Sequence, residues 1–228
     1  MSVVSTRSFI RRTALGVGAA VSLALPAVAI AGPSGVAHAA ASSPIPAIRQ
    51  ALKGVTSYRV DGSLVGKGNA VTELTIISVH RGGVAELQAT ITAPSSSGSA
   101  AYSDIVIVGS RVCARQSAHA HYSCTVSATQ ASSVEKSLNL LALFNTSSVN
   151  TDTYVPTAPK TIERQVCDGY TVINRSTRKS SGALYVARGS NLPYQIVGKS
   201  SDSSSGFSNG VITFSRYNDH TLTVPTIK

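Results

Sequence analysis

Residues 84–93, VAELQATITA, alternate without a break: Ala85, Leu87, Ala89 and Ile91 fall on one face, Glu86, Gln88, Thr90 and Thr92 on the other. A period of two is the pattern of a strand buried on one side, and it cannot present one apolar stripe as a helix. The segment has company. Residues 57–66 and 71–80 read as strands before it, and His80-Arg81-Gly82-Gly83 supplies a hairpin turn. Strands are expected again over 161–174, 182–189, 193–200, 208–217 and 221–227, with turns at Asn191-Leu192-Pro193 and Asn218-Asp219. The serine-rich stretches 94–100 and 200–208 read as solvated loops, and 146–160, broken by Pro156 and Pro159, as a polar loop.

Two segments change period. In 44–54, Ile45, Ile48, Leu52 and Val55 recur at helical spacing between a leading proline and Gly54. In 131–144, Val134, Leu138 and Leu141 share a line, and Ser132-x-x-Glu135 has the form of a capping box. Eight to ten antiparallel strands with two short helices make an α+β domain with a large, strongly curved sheet.

The amino terminus has a different grammar. Arg7, Arg11 and Arg12 precede the uncharged run 13–31, and Ala37-His38-Ala39 ends it as a small-x-small site. That is an export signal, read as residues 1–39 and removed to leave a single domain, 40–228. Arg11-Arg12 resembles a twin-arginine signal without its aromatic, and the general secretion route is the alternative. The 20 basic residues less these three arginines leave 17 against 10 acidic, a net of +7. These cations are scattered, apart from Arg175, Arg178 and Lys179, and form no nucleic-acid stripe. The expected place is outside the cytoplasm, at most peripheral to a membrane.

Export admits disulfides. Residues 104–126 read as a hairpin; if Ala118-His119 is its turn, Cys113 faces Cys124. That pairing is favoured, with Cys167 left over; Cys124–Cys167 is the rival. Chemistry is hard to find. His119 and His121 offer two ligands where a metal needs three or four, and a turn there aims them outward. Ser133-x-x-Lys136 lacks the companion motifs of penicillin-interacting enzymes, and the helix cap explains it equally well. No cofactor fingerprint occurs. The expectation is a protein that is not an enzyme and uses neither cofactor nor metal.

The carboxyl-terminal third has more specific words. Asn191-Leu192-Pro193-Tyr194-Gln195-Ile196-Val197, followed by Ile212-Thr213-Phe214-Ser215-Arg216-Tyr217-Asn218, resembles the closing strands of exported bacterial LolA/LppX-like proteins. The opening helix followed by Ser57-Tyr58-Arg59-Val60 is similar too. The resemblance implies a half-open β-barrel with helices on its concave side and a hydrophobic cavity for acyl chains. The chain departs from the pattern in having no lipobox cysteine and no tryptophan.

A curved sheet must fill its hollow with side chains, helices or a ligand. The inward candidates are modest in size: Ala85, Leu87, Ala89, Ile91, Ile105, Ile107 and Val108 from strands, Leu138 and Leu141 from a helix. The expected function is binding or carrying a lipid or other hydrophobic small molecule in the concave face, with envelope proteins as further partners. The alternative is an envelope sensor or protein-interaction module whose core is filled.

Overall fold

The computed structural model describes residues 43–66, 69–94, 100–199 and 207–227; the expected export signal, 1–39, lies outside them. Eleven strands form one antiparallel sheet. β1 (Ser57–Gly66), β2 (Val71–Arg81), β3 (Val84–Ala93), β4 (Ala101–Val108), β5 (Arg111–Arg115) and β6 (Ser123–Val126) are neighbours in chain order. So are β7 (Thr153–Ile162), β8 (Gln165–Asn174), β9 (Lys179–Ala187), β10 (Pro193–Lys199) and β11 (Phe207–Ser215). The two runs join where β1 pairs with β11, Val60 opposite Phe214, which leaves β6 and β7 as the edges.

The chain crosses from one edge to the other through α2 (Ala128–Leu138), a 3-10 helix (Leu140–Asn145) and α3 (Ser147–Thr151); α1 (Ile45–Leu52) precedes β1. One apolar cluster contains Val112 of β5 and Tyr154 of β7. A flat sheet, at about 4.8 Å per strand, would hold those strands roughly 40 Å apart. The sheet is therefore curled around the cluster without closing. Ile45, Ile48, Ala131, Val134, Leu138, Leu140 and Phe144 fill its concave side from the helices.

The outer face of the amino-terminal run is covered as well. Residues 221–227, expected as a strand, are an extended tail outside the sheet. The reason is topological: β1 and β11 already have neighbours on both sides, so no edge is free beside the tail. Its alternation serves burial instead, with Leu222 and Val224 packed on Val79 and Val106. Arg81 Nη2 donates to the Leu222 carbonyl at 2.6 Å, and Arg111 Nη1 to that of Ile227 at 3.1 Å.

Other expectations are corrected in the same way. Residues 146–160 are not a loop but α3 and most of β7. Pro156 and Pro159 are tolerated because an edge strand has one unpaired side, and the register shifts between Thr157 and Lys160. Residues 161–174 are not one strand: Glu163 and Arg164, both at positive φ, turn the chain between β7 and β8. Residues 104–126 contain two hairpins, because Gly109 at φ +57° turns β4 into β5. Cys113 does face Cys124 and is bonded to it, but across the longer loop 116–122 rather than a tight turn. The expected helix over 131–144 starts at Ala128 and breaks at Asn139. Ser127, not Ser132, caps it, its Oγ accepting from the Gln130 amide at 3.3 Å.

Candidate ligand-binding site

The concave face follows from strand alternation. Leu87 and Ala89 of β3 stand opposite Ile107 and Ile105 of β4, and all four are buried with Leu138 in the main cluster. Ile91 and Leu141 are half-buried at its margin. Ala85 is half-buried and outside the cluster. Val108, read as inward, is 41 % exposed. It pairs with Arg111 on the outer face, one residue out of phase with Ile107.

The hollow is thus occupied at one end and thinner at the other. The Phe144 and Phe214 rings meet at 6.3 Å, and Phe214, Ile48 and Ile76 are wholly buried. Beyond them runs a half-buried rim: Ile91, Leu141, Leu143, Val149, Tyr170, Val172 and Ile196. Here the floor loses its side chains. Gly210, Gly198 and Gly182 lie side by side on β11, β10 and β9, between Leu64 and Val172. At Gly210 an added Cβ would meet Leu64 Cδ2 at 2.5 Å, so Leu64 lies over the glycine. Next to Ile91 in register is Ser103, whose buried Oγ has no hydrogen-bond partner. The rim is apolar, as the wall of a hydrocarbon site has to be.

Polar bonds tie the helical plug to the sheet and to itself, among them Thr125 Oγ1 of β6 donating to Gln130 Oε1 of α2 at 3.1 Å. Tyr58 OH donates to Asn139 Oδ1 at 3.2 Å, and Tyr154 OH to the Val149 carbonyl at 3.1 Å. Arg49 Nε donates to the Phe144 carbonyl at 2.7 Å, tying α1 to the 3-10 helix. Burial pushes the Tyr58 phenol up to about 12 and raises that of Tyr154 too. Both are neutral donors at any physiological pH.

On the outer face lies a polar cluster that the sequence reading missed. Asp104, fully buried, accepts from Gln88, Thr90, Tyr102, Arg115 and Tyr122. Arg115 Nη2 approaches it at 2.7 Å, and its guanidinium lies 4.6 Å from the Tyr122 ring centroid. The signal was available: Asp104 opens the run DIVIV, where an acid on the face opposite Ile105 needs a partner. The cluster anchors loop 116–122 to the sheet, since Arg115 Nη1 also donates to the Ala118 carbonyl. His119 and His121 are exposed on that loop. Ser133 and Lys136 are exposed on α2. Among the described residues no group of three or more His, Cys, Asp or Glu is placed to hold a metal ion.

No family model matches the chain. No curated protein matches it in sequence. Solved structures do match in shape. LprF from Mycobacterium bovis superposes with a TM-score of 0.54 over 80 % of this chain and 94 % of that one, at 10 % identity. The fold is that of LprF. Looser superpositions join a LolA superfamily protein from Nitrosomonas europaea and the MucA/MucB complex from Pseudomonas aeruginosa. The first has a TM-score of 0.31 and 9 % identity, covering 82 % of this chain and 96 % of that one. The second has 0.41 and 11 %, covering 82 % and 59 %. At such identity the likeness is one of fold alone. No helix among the described residues is long and apolar enough to cross a membrane.

Proposed function

We propose that this is an exported envelope protein, not an enzyme, that binds or carries a lipid or other hydrophobic ligand on its concave face. The observation that carries the reading is the half-buried apolar rim beside a glycine floor. The ligand sits at Ile91 and Leu141 first. It reaches Leu87, Ala89, Ile105, Ile107 and Leu138 only where Leu140 and Phe144 withdraw; Ala85 lies at the margin. The driving force is burial of the tail, about 0.8 kcal/mol per methylene. The disulfide suits the oxidising compartment that the signal over 1–39 addresses.

A second reading has its own support. The buried strand residues are already covered by helices, as a filled interaction module would have them. Native mass spectrometry of gently purified protein separates the two. Co-purified lipid, exchangeable for added fatty acid, is the expected result. A chain that is repeatedly empty and takes up no fatty acid overturns the carrier reading in favour of the module.

A further inference from the structure

A second concavity lies on the solvent side of the plug. It is an open cleft of about 530 Å³ lined by Pro46, Arg49, Gln50, Leu52 and Lys53 of α1 and its cap, and by Asn145 at the end of the 3-10 helix. Two cations and two amides line it, and no carboxylate does. The carbonyl end of α1 would by itself repel an anion. Here the chain sets Arg49 and Lys53 against that end, enough to reverse the sign of the local field.

Arg49 is incompletely used. Its Nε is spent on the Phe144 carbonyl, while Nη2 is buried and has no hydrogen-bond partner. A guanidinium carries five donors, and its full charge acts on the cleft even though Nη2 itself is shut off from it. Planar, forked donors suit the paired oxygens of phosphate and carboxylate. Lys53 adds a mobile point charge, and the Gln50 and Asn145 amides add neutral donors. Asp152, which like Arg49 acts on Tyr154, is not part of the lining.

Leu52 belongs to both environments. It lines the cleft and also packs against the main apolar cluster. Leu52 is thus the wall that separates the cationic cleft from the apolar interior. We propose that this cleft receives the anionic head, phosphate or carboxylate, of an amphiphile whose tail enters the concave face past Leu52. The tail's place rests on the carrier reading; the anion site does not.

The test titrates the full chain with three probes: inorganic phosphate, lysophosphatidic acid, and a monoacylglycerol with the same acyl chain. Amide shifts at Arg49, Gln50, Lys53 and Asn145 are followed by NMR. The expected result is that lysophosphatidic acid shifts these amides and binds at least about fivefold tighter than monoacylglycerol, the size of one cation–anion contact. Lys53→Glu, an exposed change, should abolish that preference while leaving monoacylglycerol affinity unchanged. Arg49→Gln also loses the Phe144 bond, so Lys53→Glu keeps the test sound if it fails to fold. Phosphate alone shifting the same amides supports the site and identifies a free anion as a sufficient ligand. Equal affinity for the two lipids overturns the head-group site and leaves the carrier reading intact. If neither lipid binds but phosphate does, the carrier reading falls and the anion site stands. If no probe moves these amides, the proposal is wrong.

Discussion

The two runs of strands solve the same problem differently. In β1–β6 the outer face is roofed by the carboxyl-terminal tail, and on that face a buried Asp104 meets a half-buried Arg115, three hydroxyls and an amide. In β7–β11 another such pair, Asp168 with Arg188, stands in solvent at 43 % and 56 % exposure, and the outer face leaves Val155 and Val211 exposed. One carboxylate–guanidinium pair is a structural keystone and the other an ornament of the surface. The difference lies in desolvation and in the number of donors, not in the residue types.

That contrast can be broken by mutation. Asp104→Ala leaves the Arg115 guanidinium without its buried partner and should cost about 3–5 kcal/mol. Asp168→Ala should cost less than about 1 kcal/mol. Urea unfolding of both variants checks this, and equal losses would erase the distinction. The roof comes next. Leu222→Ala should cost about 2–4 kcal/mol by opening a cavity over Val79 and Val106, whereas Val211→Ala on the bare side should stay within about 0.5 kcal/mol.

The cysteines sharpen the comparison further. Opening Cys113–Cys124, which closes a short loop in the roofed half, should cost about 2–3 kcal/mol. Cys167, in the other half, is buried and free. Burial also raises its thiol, so a maleimide should label it only once urea unfolds the chain. The smallest effect is pH. Tyr58 and Tyr122 are pushed up to about 12 by burial, and Tyr154 and Tyr217 are raised as well. The folded state therefore prefers the neutral phenol, so its stability is complete below about pH 10 and falls as the pH rises through about 12. Tyr58→Phe should flatten that fall, measured as the urea midpoint at pH 8 and pH 11.

Much of the fold was legible because local signals and tertiary demands agree. The clean alternation of 84–93 became β3 with its faces as expected, and the Cys113–Cys124 pairing followed from register. The errors arose where context overrides local chemistry. Pro156 and Pro159 argue against a strand until that strand is known to be an edge. Glu163 and Arg164 form a turn with no glycine or asparagine to mark it. Leu222 and Val224 alternate as strand residues do, but serve a tail with no neighbour to pair with. At the site, the inward phase of β3 and β4 was readable from period, except that Val108 was read as inward and faces out. Which of them the helices cover was not, because that depends on the path of residues 127–152 across the hollow. Nor could the Arg49–Phe144 contact be read, since it joins segments far apart in the chain.

The meeting of β1 with β11 has a temporal consequence. Arg59 finds its partner in Ser215, so the centre of the sheet stays unzipped until β11 is available. Contacts so distant along the chain form slowly. The strands on either side of that seam can form first, and the join between them comes late.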